Sequence, residues 1–149
     1  MSDYQLIVIG AGLAGSEACW QLAQRGISVE LHEMRPGKST PAHKSAGFAE
    51  LICSNSLKAE RPDSASGLLK LEMKMMGSHL LKAAETARVA AGGALAVDRD
   101  VFSAAVTEMV EKHPNITVHR EEVTALDESA PVLVASGPLT EGALADAVA

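Results

Sequence analysis

The stretch "YQLIVIGAGLAGSEACWQLAQRG", residues 4–26, is the most informative part of the sequence for the fold. It opens with a short apolar run rich in β-branched side chains, which is typical of a fully buried parallel strand. Three glycines in the spacing G-x-G-x-x-G follow at once, and a helix-like segment runs from them to Gly26. The stretch therefore predicts a strand, a tight turn and a helix.

Each glycine of the turn has its own role in this arrangement. Gly10 permits the turn, Gly12 lets the backbone approach a pyrophosphate, and Gly15 lets the helix lie close to the strand. The free N–H groups and the dipole of the helix N-terminus favour an anion there. The residues expected to bind a dinucleotide cofactor are Gly10, Ala11, Gly12, Leu13, Ala14 and Gly15.

A second strand is predicted over "ISVELHE", residues 27–33, and it closes on Glu33. An acidic residue roughly 20 positions past the glycines is placed to bind ribose hydroxyls. A lone glycine motif is weak evidence, and Glu33 by itself could be a solvated strand end. The strand before the glycines and the helix after them favour a dinucleotide site that includes Glu33.

The segment 34–66 carries Pro, Gly and Ser throughout, and within it only "FAELI", residues 48–52, is expected to be an ordered element. Between residues 35 and 61 the local charge is +3, although the chain as a whole carries −6. We interpret this charge as a surface for phosphates, with a solvated loop as the alternative. The basic residues are Arg35, Lys38, Lys44, Lys58 and Arg61, and the acids are Glu50 and Glu60.

Helical spacing returns in residues 66–90, which predict two helices or one helix interrupted near Gly77. Residues 101–113 predict a further helix with one apolar stripe. The stripe consists of Val101, Phe102, Ala105, Val106, Met109 and Val110.

Two more strands are predicted, over "ITVHREEVT" (116–124) and "PVLVASG" (131–137). The second is apolar enough to be central in a sheet. A last helix starts within residues 138–149. The order β-α-β, helical insertion, α-β-β-α indicates an α/β fold of the Rossmann type, with the loop-rich and helical insertion spanning residues 34–97.

Composition restricts the setting of the protein. Of the 149 residues, 47% are hydrophobic, yet no apolar run reaches the roughly 18 residues of a membrane span and no signal peptide is evident. We therefore expect a cytoplasmic protein without a membrane partner. Cys19 and Cys53 are too far apart in sequence for a redox dithiol and are expected to be free thiols. Because the histidines are also scattered, we expect no metal.

Five further segments, read with the glycine turn, carry a resemblance to a known family. Together they resemble the flavin- and folate-dependent tRNA (uracil-5-)-methyltransferases of bacteria. The resemblance implies an FAD-binding domain of the glutathione-reductase type, incomplete in this chain, which would be the N-terminal part of a protein roughly three times longer. The segments are "EMRPGKSTPAH", "FAELICSNSLK", "GLLKLEM", "AGGALAVDRDVFS" and "SGPLT".

The resemblance also implies a reaction. Methylenetetrahydrofolate delivers a carbon to C5 of a T-loop uridine in tRNA, reduced FAD makes it a methyl group, and NADH or NADPH reduces the flavin. A thiolate adding at C6 makes C5 nucleophilic, and this is the catalytic role expected of Cys53. The family's remaining length supplies another reactive cysteine.

Alternatives remain at this point. Cys53 could be a small apolar residue ending "FAELI", since free cysteines are often buried. Cys19, beside Trp20 on the apolar helix face, is expected to be a packing residue. The protein could also be an FAD-dependent oxidoreductase without an RNA substrate, or a non-catalytic dinucleotide-binding module.

Overall fold

The computed structural model describes residues 4–149, and within this range it contains seven strands and five helices. The strands are β1 (Leu6–Ile9), β2 (Val29–His32), β3 (Ser56–Ala59), β4 (Arg88–Val89), β5 (Ala94–Val97), β6 (Ile116–His119) and β7 (Val132–Val134). The helices are α1 (Leu13–Gln24), α2 (Ala65–Met75), α3 (His79–Thr86), α4 (Arg99–Glu111) and α5 (Gly142–Val148).

The main sheet has four parallel strands in the order β6-β2-β1-β7. Val8 pairs with Leu31 across β1 and β2, and both side chains are fully buried in the core that α1 and α4 share with the sheet. Side chains alternate along each strand, so this register directs one apolar row of every strand toward the helices. The predicted Rossmann-like α/β fold is confirmed.

The turn between β1 and α1 depends on two close backbone approaches. Gly10 has a φ of 100°, and a Cβ added there would lie 2.7 Å from the carbonyl oxygen of Ala135. A Cβ on Gly15 would lie 1.8 Å from the carbonyl oxygen of Gly10. Glycine at these positions therefore lets β1, α1 and the end of β7 meet without side chains between them.

Replacing Gly15 by alanine is expected to destabilise the protein strongly. The new methyl group would overlap the Gly10 carbonyl oxygen, and overpacking that forces the backbone to move costs about 1–3 kcal/mol, occasionally more. Thermal melting of Gly15→Ala beside Gly93→Ala checks this, because a Cβ on Gly93 meets no atom of residues 4–149 within 4 Å. Equal melting temperatures for the two variants would contradict the close approach.

The insertion is more regular than the sequence indicates. Residues 34–97 contain a second sheet, antiparallel and ordered β3-β5-β4, where we predict loops and helices but no strands. The polar stretch of β3 lacks an alternating pattern, and its pairing with β5 is irregular, with Lys58 at a φ of 70°. The predicted helix interruption is confirmed, since Gly77 separates α2 from α3 with a φ of 76°.

The stretch "FAELI" forms neither helix nor strand, but its first two residues are buried and hydrogen-bonded to other parts of the chain. Phe48 and Ala49 are fully buried, and the Ala49 N–H donates to the carbonyl oxygen of Ala11 at 2.9 Å. The Phe48 N–H donates to Thr107 Oγ1, and its carbonyl accepts from Ser103 Oγ at 2.7 Å. The irregular segment is thus fixed to α4 and to the glycine-rich turn.

Two expectations for the C-terminal half need correction. β7 lies at the edge of the sheet in residues 4–149 and not at its centre, and Leu133 is 40% exposed. The apolar stripe of α4 holds at Phe102, Val106 and Val110, but Val101 faces solvent in the first helical turn. Among residues 4–149, no helix combines the length and apolarity that crossing a bilayer requires.

Candidate functional site

A cavity of about 330 Å³ opens at the carboxyl ends of β1, β2 and β7. Its walls are the glycine-rich turn, the irregular segment after β2 and the loop between β7 and α5. In open parallel sheets, ligands bind at this edge, where the strands end and the chain turns into helices. The predicted cofactor residues Gly10, Gly12, Leu13 and Ala14 line it.

At Gly12, neither backbone strain nor packing within the described chain requires a glycine. Its φ of −71° suits any residue, and a Cβ placed there meets no atom of the described chain within 4 Å. Gly12 is also the N-cap of α1, without a side-chain hydrogen bond to the helix, so the first-turn N–H groups face the cavity side unpaired by a cap. An open cradle at a bare helix N-terminus fits a pyrophosphate.

Glu33 lies at the cavity wall but is itself only 5% exposed, so the alternative of a solvated strand end is wrong. Its Oε2 accepts from the Ala11 N–H at 2.9 Å and from Arg35 Nη2 at 3.3 Å. Its Oε1 accepts from the Arg35 N–H and from Arg35 Nε at 3.0 and 2.9 Å. These four bonds match the roughly four acceptor sites of a carboxylate, so a ribose hydroxyl would have to displace one of them.

The ionisation of Glu33 follows from these contacts. Burial acts to raise the pKa of its carboxyl, but hydrogen bonds from Arg35 and Ala11 outweigh burial and hold the pKa below its usual value. Glu33 is therefore a carboxylate at neutral pH. Its interactions stabilise the fold above the ordinary glutamate pKa of about 4.3 and are lost as the pH falls through the lowered value.

Arg35 is the residue that organises the cavity's outer wall, and it is only 3% exposed. Besides Glu33 it reaches Glu50 Oε2 from Nη1 at 2.9 Å, and the same nitrogen donates to the Ser45 carbonyl. Glu50 in turn accepts from the Lys44 and Ser45 N–H groups. A single buried guanidinium thus joins the end of β2 to the loop that follows it.

This pairing corrects the predicted phosphate surface. Arg35 is buried, Lys38 pairs with Glu122 at 2.7 Å, and Arg61 pairs with Asp63. In the part of the chain that the structure describes, only Lys44 and Lys58 of the five basic residues lack a carboxylate partner. The predicted phosphate surface is therefore reduced to Lys44 and Lys58, the two cations of the segment without a carboxylate partner in the described chain.

Substituting Arg35 by methionine is expected to lower the free energy of unfolding by about 3–5 kcal/mol, because two carboxylates would stay buried without their cation. The loss should be largest at neutral pH and shrink as the pH falls from the ordinary glutamate pKa of about 4.3 toward the lowered pKa values of Glu33 and Glu50, below which both carboxyls are protonated in the wild type. Thermal melting across this pH range, with Arg61→Met as control, checks the prediction. The exposed Arg61 pair should contribute at most about 1 kcal/mol, and an equal loss in both variants would contradict the buried triad.

Cys53 is exposed, which rules out its reading as a buried core residue. Both of its flanks are held in place. Leu51 is buried, Ile52 lines the cavity, and Asn55 exchanges hydrogen bonds with the backbone of Val97. Cys53 itself is not part of the cavity wall, and its catalytic role stays a prediction.

Cys19 behaves as the sequence indicates. It is fully buried in the core, and burial raises the pKa of its thiol to about 12, so the thiolate is unavailable at neutral pH. The two cysteines of the chain thus differ in exposure, and only Cys53 is open to a substrate.

Sequence reasoning missed several polar groups at the cavity. Thr40 Oγ1 lies 2.6 Å from His43 Nδ1, and Ser136 Oγ lies 2.6 Å from Thr140 Oγ1. All four residues line the cavity, on opposite sides of the glycine-rich turn. The segments "TPAH" and "SGPLT", which carry part of the family resemblance, were the available signal.

The parallel sheet, the glycine-rich turn and the cavity at its edge define a dinucleotide-binding fold of the kind found in flavoproteins. Residues 5–144 match the family model described as glucose inhibited division protein A, and the chain belongs to this family.

Curated relatives specify the resemblance further. A protein of Desulforamulus reducens named methylenetetrahydrofolate–tRNA-(uracil-5-)-methyltransferase TrmFO is 56% identical over 149 residues, which is 100% of this chain and 34% of that protein. A protein of the same name from Streptococcus sanguinis is 58% identical over 99% of this chain and 33% of its own length. The resemblance inferred from the sequence motifs is confirmed, and the chain spans about one third of these relatives.

Solved structures share the fold. Aquifex aeolicus GidA superposes with a TM-score of 0.66 at 17% identity, over 83% of this chain and 20% of that one. A Tyr258Phe mutant of NikD, described as an unusual amino acid oxidase, superposes with a TM-score of 0.57 at 17% identity, over 92% of this chain and 52% of that one. At this identity, the likeness concerns the architecture alone.

Proposed function

We propose that this chain is the N-terminal, cofactor-binding part of an enzyme that methylates C5 of a T-loop uridine in tRNA. The carbon donor is methylenetetrahydrofolate, reduced FAD is the reductant, NADH or NADPH reduces the flavin, and the enzyme works in the cytoplasm. The observation that carries the proposal is 56% identity, over the whole chain, to a relative named for this reaction.

The cavity supports binding of the ADP half of FAD. The pyrophosphate would lie across Gly12 and the start of α1, where a Cβ meets nothing and the N–H groups lack a side-chain cap. The predicted cofactor residues Gly10, Ala11, Gly12, Leu13, Ala14 and Gly15 keep this role, and Glu33 orients the turn through the Ala11 N–H. When bound, the flavin supplies electrons for making the methyl group.

Cys53 supplies the nucleophile in this proposal. Its thiolate would add to C6 of the uracil, forming the S–C6 bond and moving an electron pair to the C4 oxygen. The resulting enolate makes C5 nucleophilic toward the folate-derived carbon. Loss of the C5 proton and departure of tetrahydrofolate leave a methylene group on C5, which a hydride supplied by reduced FAD would convert to a methyl group. Expulsion of the Cys53 thiolate then restores the C5–C6 double bond. Exposure of Cys53 between two anchored flanks suits a substrate as large as tRNA.

A methylation assay tests the proposal. Full-length protein carrying this sequence should convert a tRNA transcript to its 5-methyluridine form with FAD, methylenetetrahydrofolate and a nicotinamide cofactor. Omitting the folate or the nicotinamide in turn should stop the conversion. Flavin-dependent oxidation of the nicotinamide without any methylated tRNA would overturn the proposal and favour an oxidoreductase without an RNA substrate. A protein inert in both assays would favour a non-catalytic binding module.

A further inference from the structure

Parallel pairing of β2 with β6 brings two histidines together that are 87 positions apart in sequence. His32 and His119 are register partners, and their rings stack with centroids 4.8 Å apart. Glu30 lies two residues before His32 and so projects from the same face of the sheet. We expect no metal from the sequence because the histidines are scattered along it, but the fold brings this pair together.

Both imidazoles face the Glu30 carboxylate. His32 Nε2 lies 3.6 Å from Glu30 Oε2, and His119 Nε2 lies 3.4 Å from Glu30 Oε1. Zinc binds histidine nitrogen and carboxylate oxygen at about 2.0–2.2 Å, so ligand atoms at tetrahedral angles stand about 3.3 Å apart. One potential ligand atom from each of the three residues lies within 4.8 Å of the other two. Both nitrogen-to-carboxylate distances are close to this value, and the two imidazoles, stacked 16° from parallel, would have to turn toward a shared ion.

A polar atom without a partner marks the same spot. His119 Nε2 is shielded from solvent and has no hydrogen-bond partner among residues 4–149. An unsatisfied buried nitrogen of this kind calls for a ligand or a water that completes its bonding. The side chains are 13–35% exposed, so an ion can reach the cluster from solvent.

A further carboxylate stands behind one of the imidazoles. Glu121 Oε1 lies 3.2 Å from His32 Nδ1, although that nitrogen forms no well-aligned hydrogen bond within the described chain. Glu121 is 62% exposed and free to turn toward it. A carboxylate on Nδ1 fixes the tautomer that leaves the Nε2 lone pair free, as in many histidine-bound zinc sites.

From these contacts we propose that Glu30, His32 and His119 form a binding site for a divalent transition-metal ion, and zinc is the ion that we expect there. The three side chains supply two nitrogens and one oxygen, and water completes a tetrahedral set. The ion would join β6, an edge strand in residues 4–149, to β2. Because His32 also lines the cavity at the end of β2, the metal would stiffen that cavity's rim. This site is independent of the proposed methyl transfer.

Zinc binding to the full-length protein, measured by competition with a chromophoric chelator at pH 7.5, tests the site. The wild type should bind one zinc ion per chain more than variants that lack a ligand of the cluster. His119→Asn and Glu30→Gln each remove one ligand, so each should weaken zinc binding beyond the roughly 10–100-fold typical of losing a supporting residue. Neither residue lines the cavity. Glu121→Gln should fall within that range.

The matched control is His113→Asn. His113 lies outside the cluster, where it contacts Gln24 and accepts from the Asn115 N–H. Its replacement should leave zinc affinity unchanged, which would show that losing a histidine outside the cluster does not weaken zinc binding. Equal zinc affinity in the wild type, His119→Asn and Glu30→Gln would overturn the proposal. So would a wild-type protein that binds no zinc ion sensitive to these two substitutions. Zinc binding is read directly, so the result does not depend on methylation activity.

Discussion

Full-length protein carrying Cys53→Ala is expected to retain its flavin and to lose tRNA methylation by at least about 10³-fold, because the covalent route through C6 is gone. It should also fail to form a covalent adduct with tRNA that bears 5-fluorouracil at the target. Fluorine at C5 cannot leave as a proton, so a thiolate that adds at C6 stays trapped. Because Cys53 is exposed, the free energy of unfolding of the Cys53→Ala protein should differ from that of the wild type by no more than about 0.5 kcal/mol.

The chain contains its own control for this prediction. Cys19→Ala makes the same truncation at a fully buried position, so it should lower stability by roughly 1 kcal/mol while adduct formation per folded molecule persists. Thermal melting and adduct formation are measured on the same preparations. If Cys53→Ala still traps and methylates tRNA normally, Cys53 is not the nucleophile and a cysteine outside this chain performs the addition.

The second large effect is expected at Gly12. Gly12→Val should yield a folded full-length protein without flavin, since the valine side chain would fill the space that a pyrophosphate needs. No described protein atom lies within 4 Å of the added Cβ, and the φ of −71° is open to valine, so the substitution should not disturb folding by a clash. Flavin absorbance per mole of protein and the melting temperature of the flavin-free protein measure the two parts of the prediction.

Gly93→Val is the matched control, because a Cβ on Gly93 is also free of contacts within residues 4–149 and Gly93 lies outside the cavity wall. This variant should purify with wild-type flavin content. Unchanged flavin in Gly12→Val would remove the assignment of the pyrophosphate to this turn. Loss of flavin in both variants would point to a general loss of stability instead.

The sheet and the glycine-rich turn could be predicted because their signals are local. A β-branched run, three glycines at fixed spacing and an apolar helix face each specify one element, and Gly10, Gly12 and Gly15 occupy the positions their spacing implies. Thiol exposure was harder to predict. The sequence does not specify whether Cys53 is exposed in a loop or buried in the core. Its exposure depends on how the fold anchors Leu51 and Asn55 on either side of it.

What the sequence did not reveal depends on contacts between distant segments. The strands of the second sheet have weak patterns of their own and form through pairing with β5. Arg35 looked like one of several surface cations, but its partners Glu33 and Glu50 are brought to it by the fold of the loop. His32 and His119 meet only because β2 and β6 pair in parallel. Charge counts along a segment carry no information on such partners.

Mass spectrometry of a digested tRNA transcript tests directly whether the enzyme methylates the T-loop uridine. After incubation of the full-length protein with FAD, methylenetetrahydrofolate and NADH or NADPH, we expect one added methyl group on the T-loop fragment, with its carbon derived from labelled folate. A transcript with cytidine in place of the target uridine should remain unmodified. Absence of the methyl group from the T-loop fragment, with flavin bound and the protein folded, would contradict the proposed methyl transfer.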